Sequence, residues 1–304
     1  MECMEYCYEA IERKLALKAI QPSTARDYRI SLNAWVPYLS GIELGEVTRG
    51  HVERGLADML ARGIAANTAL KRHVALNMAL SQAVAEEKIS RNPMDGLPKP
   101  KKTRPEQNPL AGYELDRVKS LLSSMTQRPW VIAVQLCLYA GLRIEEACAL
   151  QVQDIDLAAG VGWVRRAIGY GDGGAYVAPP KGGRPRDFPL CDNLLSVLSS
   201  HLAGKNRGAG SWLLGSTRWL DPRLVGRKWS ALCEVEEWRG IAGRKPTLHD
   251  LRHTFATACV RANMDVKTLQ SILGHSSAAV TLDVYSSADP SAKRAARDLI
   301  GAAI

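Results

Sequence analysis

The chain has 304 residues, enough for about two domains of ordinary size. Its 46% hydrophobic and 23% charged residues make an ordinary globular composition, which excludes disordered and fibrous classes. Forty Lys and Arg against 31 Asp and Glu give a formal net charge of +9, which favours a polyanionic partner such as nucleic acid; an anionic membrane would want a basic amphipathic anchor at one end, and none is evident.

The opening, MECMEYCYEAIERK, lacks the basic-then-apolar layout of a signal peptide. The longest apolar run, VIAVQLCLYA at 131–140, is far shorter than the span of about 20 residues that a membrane needs. A cytoplasmic protein with no membrane partner is therefore expected. Seven cysteines without paired spacing point to reduced thiols. Cys3 and Cys7 could in principle join a metal site, but no second close pair accompanies them, so core or surface thiols are the better reading.

Residues 1–95 read as almost entirely helical. Helix-starting signals recur at Ser23-Thr24 after Pro22, at Thr48 and at Asn67-Thr68. From Thr68 to Glu87, Leu70, Val74, Met78 (with Ala75, Leu76 and Ala79) and Val84 fall near one side, with Lys71, Arg72 and His73 clustered near the start. Asn92-Pro93 is expected to stop that helix, since the residue before proline is pushed out of the helical region. Residues 96–108 form a basic, Pro-rich linker carrying Lys99, Lys101, Lys102 and Arg104. It reads either as a solvated tether or as a strap along a phosphate backbone.

From 109 onward the pattern is mixed. Helices are expected over Tyr113–Ser124, Trp130–Ala140 and from near Leu142. Strands follow over Gly162–Ile168, Gly174–Ala178 and Arg186–Leu190, and helices resume near Asn193, Pro222, Leu248 and Val266. The fold class is mainly α with a small antiparallel β-sheet. Gly169, Gly171 and Gly174 spell the dinucleotide fingerprint, but Ala175-Tyr176-Val177 reads as a second strand where a helix is required. A hairpin turn is the better reading, and no cofactor is expected.

Four segments carry possible chemistry. In Gly141-Leu142-Arg143-Ile144-Glu145-Glu146, one helix ends at the glycine and another opens at the glutamates, leaving Arg143 at a tight corner. It is either a surface residue or a guanidinium held by Glu146 for bidentate phosphate contact. Lys181 lies in a basic hairpin tip, Pro180–Arg186. Such a tip is commonly an exposed loop, yet neighbouring arginines would lower the lysine pKa and suit proton donation. In Thr247-Leu248-His249-Asp250-Leu251-Arg252-His253, Thr247 and Asp250 have capping-box spacing. His249, Arg252 and His253 then share one face. That face fits an anionic oxygen, a solvated basic surface, or a zinc pair lacking a third ligand. Finally, Gly274 stops a helix before His275, and a short helix after Ser276 or Ser277 carries Tyr285.

Taken in order, Arg143, Lys181, His249-x-x-Arg252, Leu-Gly-His275 and Tyr285 resemble the active-site set of the tyrosine recombinases, or phage integrase family. Glu146 matches as well, and residues 83–93 are similar to the end of that family's core-binding domain. The resemblance covers nearly the whole chain, and no expected active-site residue type is substituted. It implies a helical SAM-like core-binding domain over 1–95 and a mixed α/β catalytic domain over 109–304. It also implies a site-specific recombinase acting on double-stranded DNA through a 3′-phosphotyrosyl intermediate, without metal or ATP. In that scheme Arg143 and Arg252 clamp the phosphate, Tyr285 attacks and His249 accepts its proton. Lys181 protonates the leaving 5′ oxygen, His275 donates to the phosphate, and Glu146 and His253 support. A homotetramer docking through 286–304 is further implied. Integrases of mobile elements often carry an additional arm-binding domain, and the residues before the linker are expected to hold the core-binding domain alone. The expected role is integrase of a phage or mobile element. A Xer-like chromosome-dimer resolvase, a nicking-resealing topoisomerase and a non-enzymatic DNA-binding module are the alternatives.

Overall fold

The computed structural model describes residues 1–103, 106–205 and 207–274. Two compact units divide the chain: Met1–Pro105 with Gly169–Tyr176, and a second running from Glu106 to Ile168 and from Val177 onward.

The first unit is built of five helices: α1 (Cys3–Ala16), α2 (Pro22–Asn33), α3 (Val36–Leu39), α4 (Arg49–Ala61) and α5 (Ala66–Ala85). Their starts follow from local chemistry. Thr48 caps α4, its hydroxyl accepting from His51 N–H, while Pro22 occupies the first turn of α2, where its missing N–H costs nothing. Trp35, Tyr6, Ile11, Leu32, Leu39, Leu76 and Leu80 fill the core. The Trp35 indole donates to the Arg72 carbonyl at 3.0 Å, so its one polar atom is satisfied.

Helix α5 differs from expectation in two ways. Its buried stripe is Ala69, His73, Leu76, Leu80 and Ala83, spaced by three and four residues, whereas Val74 is 44% exposed. His73 thus belongs to the core, not to the basic cluster. The helix also ends at Ala85, ahead of Asn92-Pro93. Glu87 turns left-handed (φ 56°) and the Lys88 N–H closes back on the Ala83 carbonyl at 2.9 Å. Asn92 instead anchors the chain after the helix. Its amide reaches Asn77 and Ser81, its oxygen accepts from Met94 N–H, and Met94 and Leu97 enter the core. At α5's other end Asn67 is not a cap. It exchanges two hydrogen bonds with the Thr103 backbone, at 2.7 and 3.0 Å.

The second unit centres on α7 (Pro129–Tyr139), which follows α6 (Gly112–Ser124) and precedes the short α8 (Ile144–Ala147). Residues 131–138 are all buried, as a helix apolar on every side requires, and the one polar side chain among them, Gln135, donates to the Leu122 carbonyl at 3.2 Å. Strands β1 (Ile155–Asp156), β2 (Val161–Val164), β3 (Ala167–Gly171), β4 (Gly174–Ala178) and β5 (Arg186–Pro189) come next. β2 pairs antiparallel with β1 and with β5, placing Gly162 opposite Phe188 and Val164 opposite Arg186. A Cβ on Gly162 would lie 2.3 Å from the Phe188 ring, so only glycine allows this register. β3 and β4, whose residues Gly169–Tyr176 belong to the first unit, form a separate two-stranded pair. It turns at Asp172-Gly173, with Gly171 and Gly174 of the fingerprint flanking the turn and Gly169 inside β3.

The single strand expected over 162–168 is thus two strands in two sheets. The break falls at Arg165-Arg166, because both guanidiniums turn onto the fully buried Asp154 carboxylate. Helices α9 (Asp192–Leu202), α10 (Pro222–Val235), α11 (Leu248–Arg261) and α12 (Val266–Leu273) complete the unit, and α8 to α11 all pack on α7. Among the described residues no helix is long and apolar enough to cross a membrane. None of the seven cysteines is in a disulfide, and six are buried.

Candidate active site

The corner between α7 and α8 is fixed first. Gly141 takes φ 63°, and a Cβ there would fall 2.5 Å from the Phe255 ring of α11 and 2.8 Å from Leu273 of α12. Both backbone conformation and close approach therefore demand glycine. Arg143 is the N-cap residue of α8. Its N–H donates to Glu146 Oε2 at 3.0 Å and its Nη1 to Oε1 at 2.9 Å, so Glu146 holds both the main chain and the guanidinium. Glu146 is 1% exposed and the Arg143 side chain 19%, which leaves part of that guanidinium open to a ligand.

Helix α11 supplies the opposite wall. Its start is the capping box the sequence implies: Thr247 N–H donates to Asp250 Oδ2 at 2.8 Å, and Asp250 N–H to the Thr247 hydroxyl at 3.2 Å. Asp250 is further held by the Arg244 fork at 3.0 and 3.1 Å and by Asn108 N–H at 3.2 Å. One turn on, Arg252 is buried. Its Nη1 donates to the Gly141 carbonyl at 2.6 Å and its Nη2 to the Leu273 carbonyl at 2.7 Å. That guanidinium therefore ties α11 to the Arg143 corner and to the end of α12.

His249 and His253 pack edge to face, with ring centroids 4.7 Å apart. Enclosure by protein, then the neighbouring His253, Arg252 and Arg143, push the His249 pKa down to about 4. His253 shifts down as well, through burial. Burial and then Arg143 press the Arg252 pKa down to about 9. Burial alone would raise the Glu146 carboxyl, but the hydrogen bonds and charge of Arg186, followed by Arg143, hold it below the usual range. The result is a corner of positive potential lined by a neutral imidazole acceptor, an arrangement that takes up an anionic oxygen.

Arg143, Glu146, His249, Arg252 and His253 are thus brought together. Lys181 is not in contact with them: it lies on the exposed loop between β4 and β5. His275 and Tyr285 lie outside the described residues. Arg186 escapes sequence reasoning. It looks like one more cation of a basic loop tip, yet its side chain is only 7% exposed and pairs with Glu146. The only local signal is its place at the start of an apolar-alternating strand. Among the described residues no group of three or more His, Cys, Asp or Glu side chains is placed to hold a metal ion.

The phage integrase family model matches residues 113–291, more than half of the chain. The chain belongs to the phage integrase family. Similar proteins include a tyrosine recombinase XerC of Actinobacillus pleuropneumoniae, 28% identical over 83% of this chain and 82% of that one. A tyrosine recombinase of Pseudothermotoga lettingae is 26% identical over 79% and 78%. Among solved structures, the Tn1549 transposon integrase in complex with transposon right-end DNA superposes with a TM-score of 0.81 at 21% identity, covering 99% of this chain and 100% of that one. A lambda integrase dimer bound to a core site gives 0.70 at 21% identity, over 90% and 92%. This chain therefore shares its fold with those two integrase structures, and this family member is a DNA strand-transferring enzyme, a tyrosine recombinase.

Proposed function

We propose that Arg143 and Arg252 clamp the non-bridging oxygens of a DNA phosphodiester while Tyr285 attacks its phosphorus. The Tyr285 oxygen–phosphorus bond forms, the bond to the 5′ oxygen breaks, His249 takes the phenolic proton and Lys181 gives one to the departing 5′ oxygen. His275 donates to the phosphate, and Glu146 and His253 hold the clamp. A 5′ hydroxyl from a second duplex then attacks the 3′-phosphotyrosyl link and releases the tyrosine. The covalent link stores the bond energy, so strand transfer runs without nucleotide hydrolysis.

One observation carries this reading: Arg252 donates to the carbonyl of Gly141, two residues before Arg143, so both guanidiniums share one rigid corner. Preorganised donors of this kind stabilise charge that grows in the transition state. Residues 1–95 act as the DNA core-binding domain, 109–304 as the catalytic domain, and strand exchange takes a homotetramer docked through 286–304 on core sites in duplex DNA. The integrase of a phage or mobile element is the role that fits the order and spacing of the motifs. The XerC and XerD relatives, 28% and 27% identical, favour a chromosome-dimer resolvase as the second reading.

The deciding experiment uses a nicked duplex that traps covalent intermediates. Wild type is expected to form a phosphotyrosyl adduct and Tyr285→Phe none. An adduct that persists in Tyr285→Phe overturns the assignment. Exchange between an element end and an unrelated target supports the integrase role, whereas exchange restricted to directly repeated sites on a circular dimer supports the resolvase.

A further inference from the structure

Arg186 opens β5, five residues after Lys181, and its guanidinium points into the unit. Nη1 donates to Glu146 Oε1 at 3.0 Å and Nη2 to Glu146 Oε2 at 2.5 Å, a fork-to-fork pair. Nε donates to the Ile272 carbonyl at 2.8 Å. A Cβ on Gly274 would lie 2.8 Å from Arg186 Cδ and 2.9 Å from Nε, so the turn that ends α12 rests directly on this side chain. Arg186 and Arg252 therefore hold consecutive carbonyls, those of Ile272 and Leu273.

The Glu146 carboxylate shares its two oxygens between Arg143 and Arg186. Because Arg186 occupies both oxygens from behind, the Arg143 guanidinium binds Glu146 through a single nitrogen and keeps its other donors for a ligand. Without Arg186 the buried carboxylate would have one cation left, and Arg143 would be drawn into a bidentate pair with it.

We propose that Arg186 is a positioning residue for strand transfer. It sets the Arg143–Glu146 pair and the Ile272–Gly274 turn, which leads into His275, in one fixed frame. This rests on the phosphate-clamp reading of Arg143 and Arg252. Lysine cannot replace the fork: one ammonium cannot span both carboxylate oxygens and the Ile272 carbonyl in that planar geometry.

The test compares wild type, Arg186→Lys, and the charge-neutral double variant Arg186→Met with Glu146→Gln, all in the full chain, by single-turnover cleavage of the trapping duplex over a range of protein concentrations. The expected result is a cleavage rate at saturation about a hundredfold lower for both variants, as small misplacements of a clamp produce, with the half-saturating concentration unchanged. Thermal unfolding identifies any loss of fold. The double variant leaves no buried carboxylate without its Arg186 partner and is expected to keep the wild-type transition. In an Arg143→Lys background, Arg186→Lys should add little further loss, because it acts through Arg143. Folded variants that cleave at the wild-type rate, or a loss that multiplies fully with Arg143→Lys, overturn the proposal. If wild type itself forms no adduct, it is the parent reading that fails, so the two failures are distinguishable.

Discussion

A phenol that must lose its proton needs an acceptor that is neutral at working pH, and burial together with the cations around His249 produces one. Burial, and after it the same cations that would hold a phosphate, make imidazolium costly there, which is why its pKa falls to about 4 from an ordinary 6.5. The sign for stability follows. Between those two values the unfolded chain takes up a proton that the folded site refuses, so this residue costs stability progressively as pH falls from 6.5 towards 4 and no further below. Binding an anion between Arg143 and Arg252 cancels part of the field and raises the imidazole again, restoring basicity when the substrate phosphate arrives. In an NMR titration of the free protein, the His249 ring proton should show a midpoint near 4, moving upward when inorganic phosphate or DNA is added. A midpoint near 6.5 in the free protein would remove His249 from this electrostatic corner.

At the scale of elements, α11 is the piece on which the site depends, and its start hangs on one carboxylate. Asp250 accepts from Thr247, Arg244 and Asn108 together, so it fixes the helix end, the preceding loop and the chain entering the second unit. Thr247→Ala removes the hydroxyl cap alone and should cost about 1 kcal/mol in denaturant unfolding. Asp250→Ala strands the Arg244 fork and three further donors, and should cost roughly 2–4 kcal/mol. Equal losses for the two would show that the capping hydroxyl, not the carboxylate network, carries the start. Capping chemistry lies within four residues, which is why the sequence discloses the start of α11 and the Arg143–Glu146 corner. What it hides depends on partners distant along the chain. β2 and β3 separate because Arg165 and Arg166 find Asp154, and His73 turns inward because the α5 stripe faces a tertiary core. Arg186 reads as a loop cation until Glu146, forty residues away, is seen beside it. Periodicity and local motifs cannot report such pairings.

For the molecule as a whole, a net charge of +9 makes affinity for a polyanion unsurprising, and the question is which cations touch phosphate. The basic stretch after α5 is the sharpest case. It is no loose tether along its first half: Met94 and Leu97 are buried in the core of the first unit, and the Thr103 backbone is clasped by Asn67. Lys99, Lys101 and Lys102 are exposed between those anchors, while Arg104 lies outside the described residues. An anchored row of lysines can present its charge in one register, which a freely moving chain cannot. Counterion release separates contact from mere attraction. Lower net charge weakens binding at any one salt concentration, but the slope of log affinity against log salt counts phosphates neutralised, at about 0.9 each on duplex DNA. Replacing Lys99, Lys101 and Lys102 together by alanine should therefore flatten that slope by roughly 2.7 if all three lie on the backbone. A variant that binds more weakly with an unchanged slope would mean that the lysines act only through the general field of the protein, and that the stretch is a solvated connection after all.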